Sequence, residues 1–176
     1  MKHALRTFGL VFVMLLVATL KPTAQTATVK GDVLKDWTSM KDTIVKIARE
    51  MPEDKYTYKS TPPQRDFGAQ VMHIAQANVG VLKSVGGKAT PPIIDMKATK
   101  KADVIKAMSD SFDYGTALIN EQTNQSMLET VQAEFLGPST RARIFFSLVG
   151  HTWDIYGQMA VYLRLNGGVP PASQRP

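Results

Sequence analysis

The sequence predicts an all-α protein, a four-helix bundle preceded by a signal peptide. Three observations predict it. Four long segments repeat their apolar residues near the i, i+3, i+4 spacing of a helix that buries one face. None shows the every-second-residue alternation of a half-buried strand. Helix breakers at Pro52, Gly86-Gly87, Gly137-Pro138 and Gly167-Gly168 stand between or after the segments. No internal repeat or low-complexity tract interrupts them, so the chain divides into a leader over 1–27 and one domain over 28–176.

The leader is read from the order of its parts. Lys2, His3 and Arg6 make a positive start, an apolar run follows from Phe8 to Leu20, and Pro22-Thr-Ala-Gln-Thr-Ala27 is small and polar. This is the order of a secretory signal peptide, and its apolar core is shorter than the ~20 residues of a spanning helix. Cleavage is expected near 24–27, which exports the domain to the periplasm or the exterior. An uncleaved leader would be its one link to a membrane. The chain contains no cysteine, which excludes lipid attachment, disulfides, thiolate ligands and thiol nucleophiles.

The first helix is expected from about Asp32, as its N-cap, to Met51, with Val33, Leu34, Trp37, Met40, Ile44, Val45, Ile47 and Ala48 on its apolar side. Pro52 ends it, and Lys55 to Pro63 supplies an extended connection. The second begins after Asp66 and carries Phe67, Val71, Met72, Ile74, Ala75, Val79, Val81 and Leu82 up to the Gly86-Gly87 stop. Thr99 caps the third, which carries Val104, Ile105, Met108, Phe112, Tyr114, Leu118 and Ile119. The more polar stretch Glu121 to Leu136 is expected to be a loop or a short helix. Ser139 or Thr140 starts the last helix, which reaches about Asn166 and spans ~40 Å at 1.5 Å per residue. Trp37 and Trp153 are expected as core aromatics.

Charge narrows the function. The formal net charge of +6 loses Lys2, Arg6 and Lys21 with the leader, and no acid, which leaves +3. The remaining bases are mixed with acids, as in Lys30, Asp32, Lys35, Lys41, Asp42 and Lys46. That is a solvated helix face and no nucleic-acid stripe. Lys97, Lys100 and Lys101 form the one local basic cluster. No glycine-rich phosphate loop or Ser-His-Asp arrangement is present.

The residues left to carry chemistry are few. Past the leader there are two histidines, His73 and His151, each inside a strongly apolar helix. A lone histidine on an apolar face is usually a satisfied core residue. Two on different helices of one bundle raise a second reading, because bundles build cofactor sites from side chains projecting inward from facing helices. Neutral imidazole is also the commonest metal-binding side chain. A catalytic divalent metal usually takes three protein ligands and an open position. At about 100° per residue, Ile155 and Gln158 project near His151, and Asp154 is displaced by ~60°. Asp154 is thus the candidate third ligand, or a surface residue bonded elsewhere.

The segments Ala48-Arg-Glu-Met-Pro-Glu-Asp-Lys-Tyr-Thr-Tyr58, Phe67-Gly-Ala-Gln-Val-Met-His73-Ile-Ala75, Tyr156-Gly-Gln158 and Tyr162 to Ser173 resemble the DinB-like superfamily of metal-binding four-helix bundles. The resemblance runs from about Trp37 to Ser173. It implies an up-down-down-up bundle, often a homodimer, with a divalent metal on one histidine of the second helix and two of the fourth. His73 and His151 fill two of those positions. The third falls on Ile155, which has no lone pair to give.

Family members with an assigned activity are mostly metal-dependent, among them transferases and isomerases that use low-molecular-weight thiols. Three functions follow from the resemblance. One is an exported metal-dependent enzyme with an altered third ligand, Asp154 or Gln158, holding Zn, Ni, Fe or Mn. The second is a metal-free descendant that binds a small molecule in the old pocket. The third is a dimerising bundle without catalysis. The leader weighs against a cytosolic thiol as co-substrate. Tyr162 and Arg164 are expected to line the pocket or brace the helix end.

Overall fold

The computed structural model describes residues 27–174. The predicted signal peptide lies outside these residues, save Ala27 at its edge. Helix α1 (Val29–Glu50) begins four residues earlier than expected. Thr28 is extended and its Oγ1 accepts from the Gly31 amide at 3.1 Å, so threonine is the cap. Asp32 instead stands in the first turn, where the amino-terminal end of the helix dipole favours a carboxylate. Helix α2 (Phe67–Leu82) starts as the sequence predicts, with Asp66 Oδ1 accepting from the Ala69 amide at 2.7 Å. A single 3₁₀ turn over Lys83–Val85 leads to Gly86, whose φ of +73° only glycine adopts freely.

Helix α3 (Lys101–Glu121) is not capped by Thr99. Lys100 precedes it without a side-chain cap. The first residue of α3 serves a neighbour instead. Lys101 Nζ donates to the carbonyls of Arg49 and Met51, both at 2.7 Å, and closes the end of α1. Lys30, in the first turn of α1, does the converse, donating to the carbonyls of Asn120 at 3.0 Å and Gln122 at 2.8 Å at the end of α3.

The stretch Glu121 to Leu136 holds the short helix α4 (Asn124–Leu128), with a capping box between Thr123 and Ser126. It also begins a hairpin, which corrects the expectation of a strand-free chain. Strand β1 (Thr130–Ala133) pairs antiparallel with β2 (Gly137–Thr140), Thr130 opposite Thr140 and Ala133 opposite Gly137. Four residues per strand are too few to carry a periodicity. Tertiary bonds hold the hairpin: Arg141 donates from Nε to Val85 O at 2.8 Å and from its terminal nitrogen to Ser126 O and the Glu129 carboxylate. Thr140 caps the last helix, α5 (Arg141–Leu165), as expected.

The four long helices enclose one core, in the ring order α1, α3, α2, α5. Trp37 is its fully buried centre. The indole Nε1 donates to Phe112 O at 2.8 Å, and its ring lies 4.6 Å from that of Phe112 and 5.4 Å from that of Phe145. One side chain thus ties α1 to α3 and α5. Gly115 permits this, because a Cβ there would stand 2.6 Å from Trp37 Cε2. Trp153, expected in the core, is 48% exposed on the outer side of α5 and leans on Tyr156 at 5.4 Å. Its neighbours Thr152 and Ile155 take the inward direction. No described helix is long and apolar enough to cross a membrane.

Candidate functional site

Because α2 and α5 are neighbours in the ring, His73 and His151 meet. Their ring centroids are 5.1 Å apart and the planes nearly perpendicular, at 77°. The structure therefore brings together the two histidines that the sequence singles out. His151 Nε2 is buried without a hydrogen-bond partner among the described residues. Burial, then the Arg65 guanidinium, then His151 hold the His73 imidazole below its ordinary value, so the ring is neutral at pH 7.

Both histidines line a cleft of about 570 Å³ between α2, α5 and the turn of the hairpin. Its walls are mostly hydrocarbon, from Ala77, Gly80, Val81, Phe135, Leu136 and Leu148, with Glu134 among them. A second hollow of about 390 Å³ lies on the other side of His73, bounded by Tyr56, Thr57, Arg65, Met72, Met96 and Thr99. Tyr56 is buried and its hydroxyl donates to Ala48 O at 2.6 Å; burial, then the nearby Glu53, push its phenol well up. His73 and Gln76 face both hollows.

The structure does not bring Asp154 to the histidines. Asp154 is exposed and its Oδ2 accepts from Gln158 Nε2 at 3.1 Å. Gln158 Oε1 accepts in turn from Gln70 Nε2 of α2 at 2.7 Å. Both side chains offered as substitutes for a missing ligand are thus engaged in a polar bridge between α5 and α2. Ile155, one turn beyond His151, is 2% exposed. Among the described residues, no group of three or more histidine, aspartate or glutamate side chains is placed to hold a metal ion. Two imidazoles, one with a free buried nitrogen, are half of a metal site, and the residues present do not complete it.

Tyr162 and Arg164 brace rather than line. The Tyr162 hydroxyl donates to Arg65 O at 2.8 Å, and Arg164 donates to Ser173 Oγ at 3.1 Å. Gln70, Arg65 and the hairpin turn were not singled out by sequence reasoning. A buried glutamine one turn before His73 is a signal that periodicity offers. Arg65 carries none, since the residue before an N-cap is ordinarily solvated.

Residues 24–176 match the DinB family. Among solved structures, the chain is similar to a DinB-like protein from Bacillus cereus, with 20% identity and a TM-score of 0.71, over 82% of this chain and 96% of that one. It is also similar to a DinB-like protein from Bacillus subtilis, with 17% identity and a TM-score of 0.64, over 82% and 99% of the two chains. At these identities the likeness carries the fold and no activity. No curated protein matches the chain.

Proposed function

This chain belongs to the DinB family, and the resemblance sets Ile155 where a third histidine would stand; we propose that it is an exported bundle that binds a small molecule without a tightly held metal. One observation carries the reading. The two histidines line a largely apolar cleft, and behind its wall His151 Nε2 is buried without a partner among the described residues. Buried polar atoms are nearly always satisfied, so an unpartnered nitrogen beside the cleft points to a group that comes from outside the chain. An apolar cleft of several hundred Å³ with few convergent polar groups is the usual form of a small-molecule site.

The test uses a neutral apolar dye, Nile red, in the presence of a chelator. Binding that survives the chelator and is lost in Gly80→Phe supports the proposal. Gly80 lines the cleft and has open space above it, so phenylalanine fills the cavity while the helix is kept. Dye binding that persists in a folded Gly80→Phe variant, or that vanishes with chelator, overturns it.

A second reading, a degenerate metal-dependent enzyme on Zn, Ni, Fe or Mn, is favoured by the neutral His73 beside the free His151 nitrogen. Elemental analysis separates the two. Association of two copies belongs to the same proposal. Phe146, Trp153 and Val161 are exposed along one side of α5, with Gly150 and Gly157 between them leaving open space. A second α5 running the opposite way would set these ridges over glycine gaps, a self-complementary fit that a two-fold interface can use. Trp153→Glu then reduces the sedimentation coefficient to that of a monomer; a wild-type chain that is monomeric at high concentration removes this part.

A further inference from the structure

The four long helices share out their charge unevenly. Helix α1 carries nine charged side chains and α3 six, as helices with a solvated face do. Helix α2 carries none over its whole length, and α5 carries Asp154 alone between Ile144 and Leu163. Because α2 and α5 are neighbours in the ring, the two bare helices form one side of the bundle. The apolar cleft of His73 and His151 lies between them, with the exposed Gly80 and Phe135 on its rim.

The described residues leave that side open. Phe135 is 77% exposed, and Phe146, Trp153 and Val161 are about half exposed along α5. On α2, Ala69, Gln76 and Ala77 are half-buried. The one acid on α5 is bonded to Gln158, which Gln70 holds from α2. Exposed aromatic residues without charge are the composition of an interface core. The charge of the whole chain selects the occupant. Its formal net charge is +6, so two copies repel except where charge is missing, and the α2–α5 side is that place. A membrane surface would ask for lysine or arginine beside the apolar residues, and α2 has neither.

We propose that a second copy of this chain covers the α2–α5 side and closes the mouth of the cleft, so that ligand binding and pairing strengthen each other. This rests on the ligand-binding reading above, and it extends the pairing surface from α5 to α2 and to the regulation of the site. A ligand enclosed by two copies is held more tightly by the pair than by one chain, and by the same factor it favours the pair.

The test joins sedimentation velocity to Nile red titration on the full mature chain, over protein concentrations that span the monomer–dimer midpoint. Nile red is expected to lower that midpoint by about tenfold, and the dimer to bind the dye about tenfold more tightly than the monomer. Ala69→Glu and Trp153→Glu place a carboxylate on the two halves of the face, and neither residue lines the cleft. Ala69 stands in the first turn of α2, where a glutamate suits the helix, so that variant is expected to fold. Both variants should be monomers with the weak dye affinity of the dilute wild type. A wild type that stays monomeric at high concentration, including one that sediments with phosphatidylcholine vesicles, gives the face to another occupant and overturns the proposal. A dimer that Ala69→Glu leaves intact overturns it too, and restricts pairing to α5. Equal dye affinity in monomer and dimer overturns the coupling and leaves the ligand-binding reading standing. No dye bound at any concentration overturns both.

Discussion

Replacing Ile155 by histidine tests the inherited pocket most directly. Ile155 is buried at 2% exposure, one turn beyond His151 on the same helix. Burial of such a side chain is worth roughly 1.5–3 kcal/mol. An imidazole recovers part of that area but must be desolvated. The metal-free Ile155→His variant should therefore be less stable by roughly 2–3 kcal/mol. For a domain of this size that lowers the melting temperature by about 4–12 °C. The new ring would join His73 and His151, already 5.1 Å apart, as a third donor. Metal at about a hundred times its dissociation constant returns about 2.7 kcal/mol, enough to offset the deficit.

The assay is a thermal melt with and without zinc, beside elemental analysis of the untagged chains. Zinc should raise the variant's melting temperature by several degrees and leave the wild type nearly unmoved. Metal content should approach one per chain in the variant and stay far below it in the wild type. Near-stoichiometric metal in the wild type would refute the argument that two imidazoles are insufficient, and would make Asp154 the next residue to replace. No metal in either chain would refute the convergence of His73 and His151 on an inherited site.

Gly115→Ala should destabilise by roughly 1–3 kcal/mol, because the added methyl would overlap the Trp37 ring. Gly80→Ala, with open space above it, should instead be neutral or gain up to about 1 kcal/mol from helix propensity, so equal urea midpoints for the two variants would contradict the packing. The lowered His73 value makes stability depend on pH in one direction. The unfolded ring takes its proton near pH 6.5 and the folded ring only below that, so the contribution is full above about 6.5 and is lost as pH falls from there toward the folded value. His73→Gln should flatten the midpoint-versus-pH curve over that acid window. A wild type that gains stability relative to this variant on acidification would reverse the sign and reject the assignment.

The four long helices, several of their ends and the family were legible in the chain alone. These are local signals: apolar spacing over many turns, Asp66 and Thr140 as caps, and Gly86 where a positive φ is needed. Where two local answers compete, packing chooses between them. Thr28 and Asp32 are both capping types one turn apart, and the chain uses Thr28. Trp153 and Asp154 lie off the buried stripe of α5. Periodicity leaves such positions open, and here Trp153 faces outward while Asp154 is bonded to Gln158, itself held by Gln70 from α2. The hairpin was illegible because its strands are short and long-range bonds from Arg141 hold it down. The meeting of His73 with His151 depends on which helices are neighbours. That order is a property of the packed core, since each amphipathic helix specifies a face to bury and leaves its partner to the whole chain.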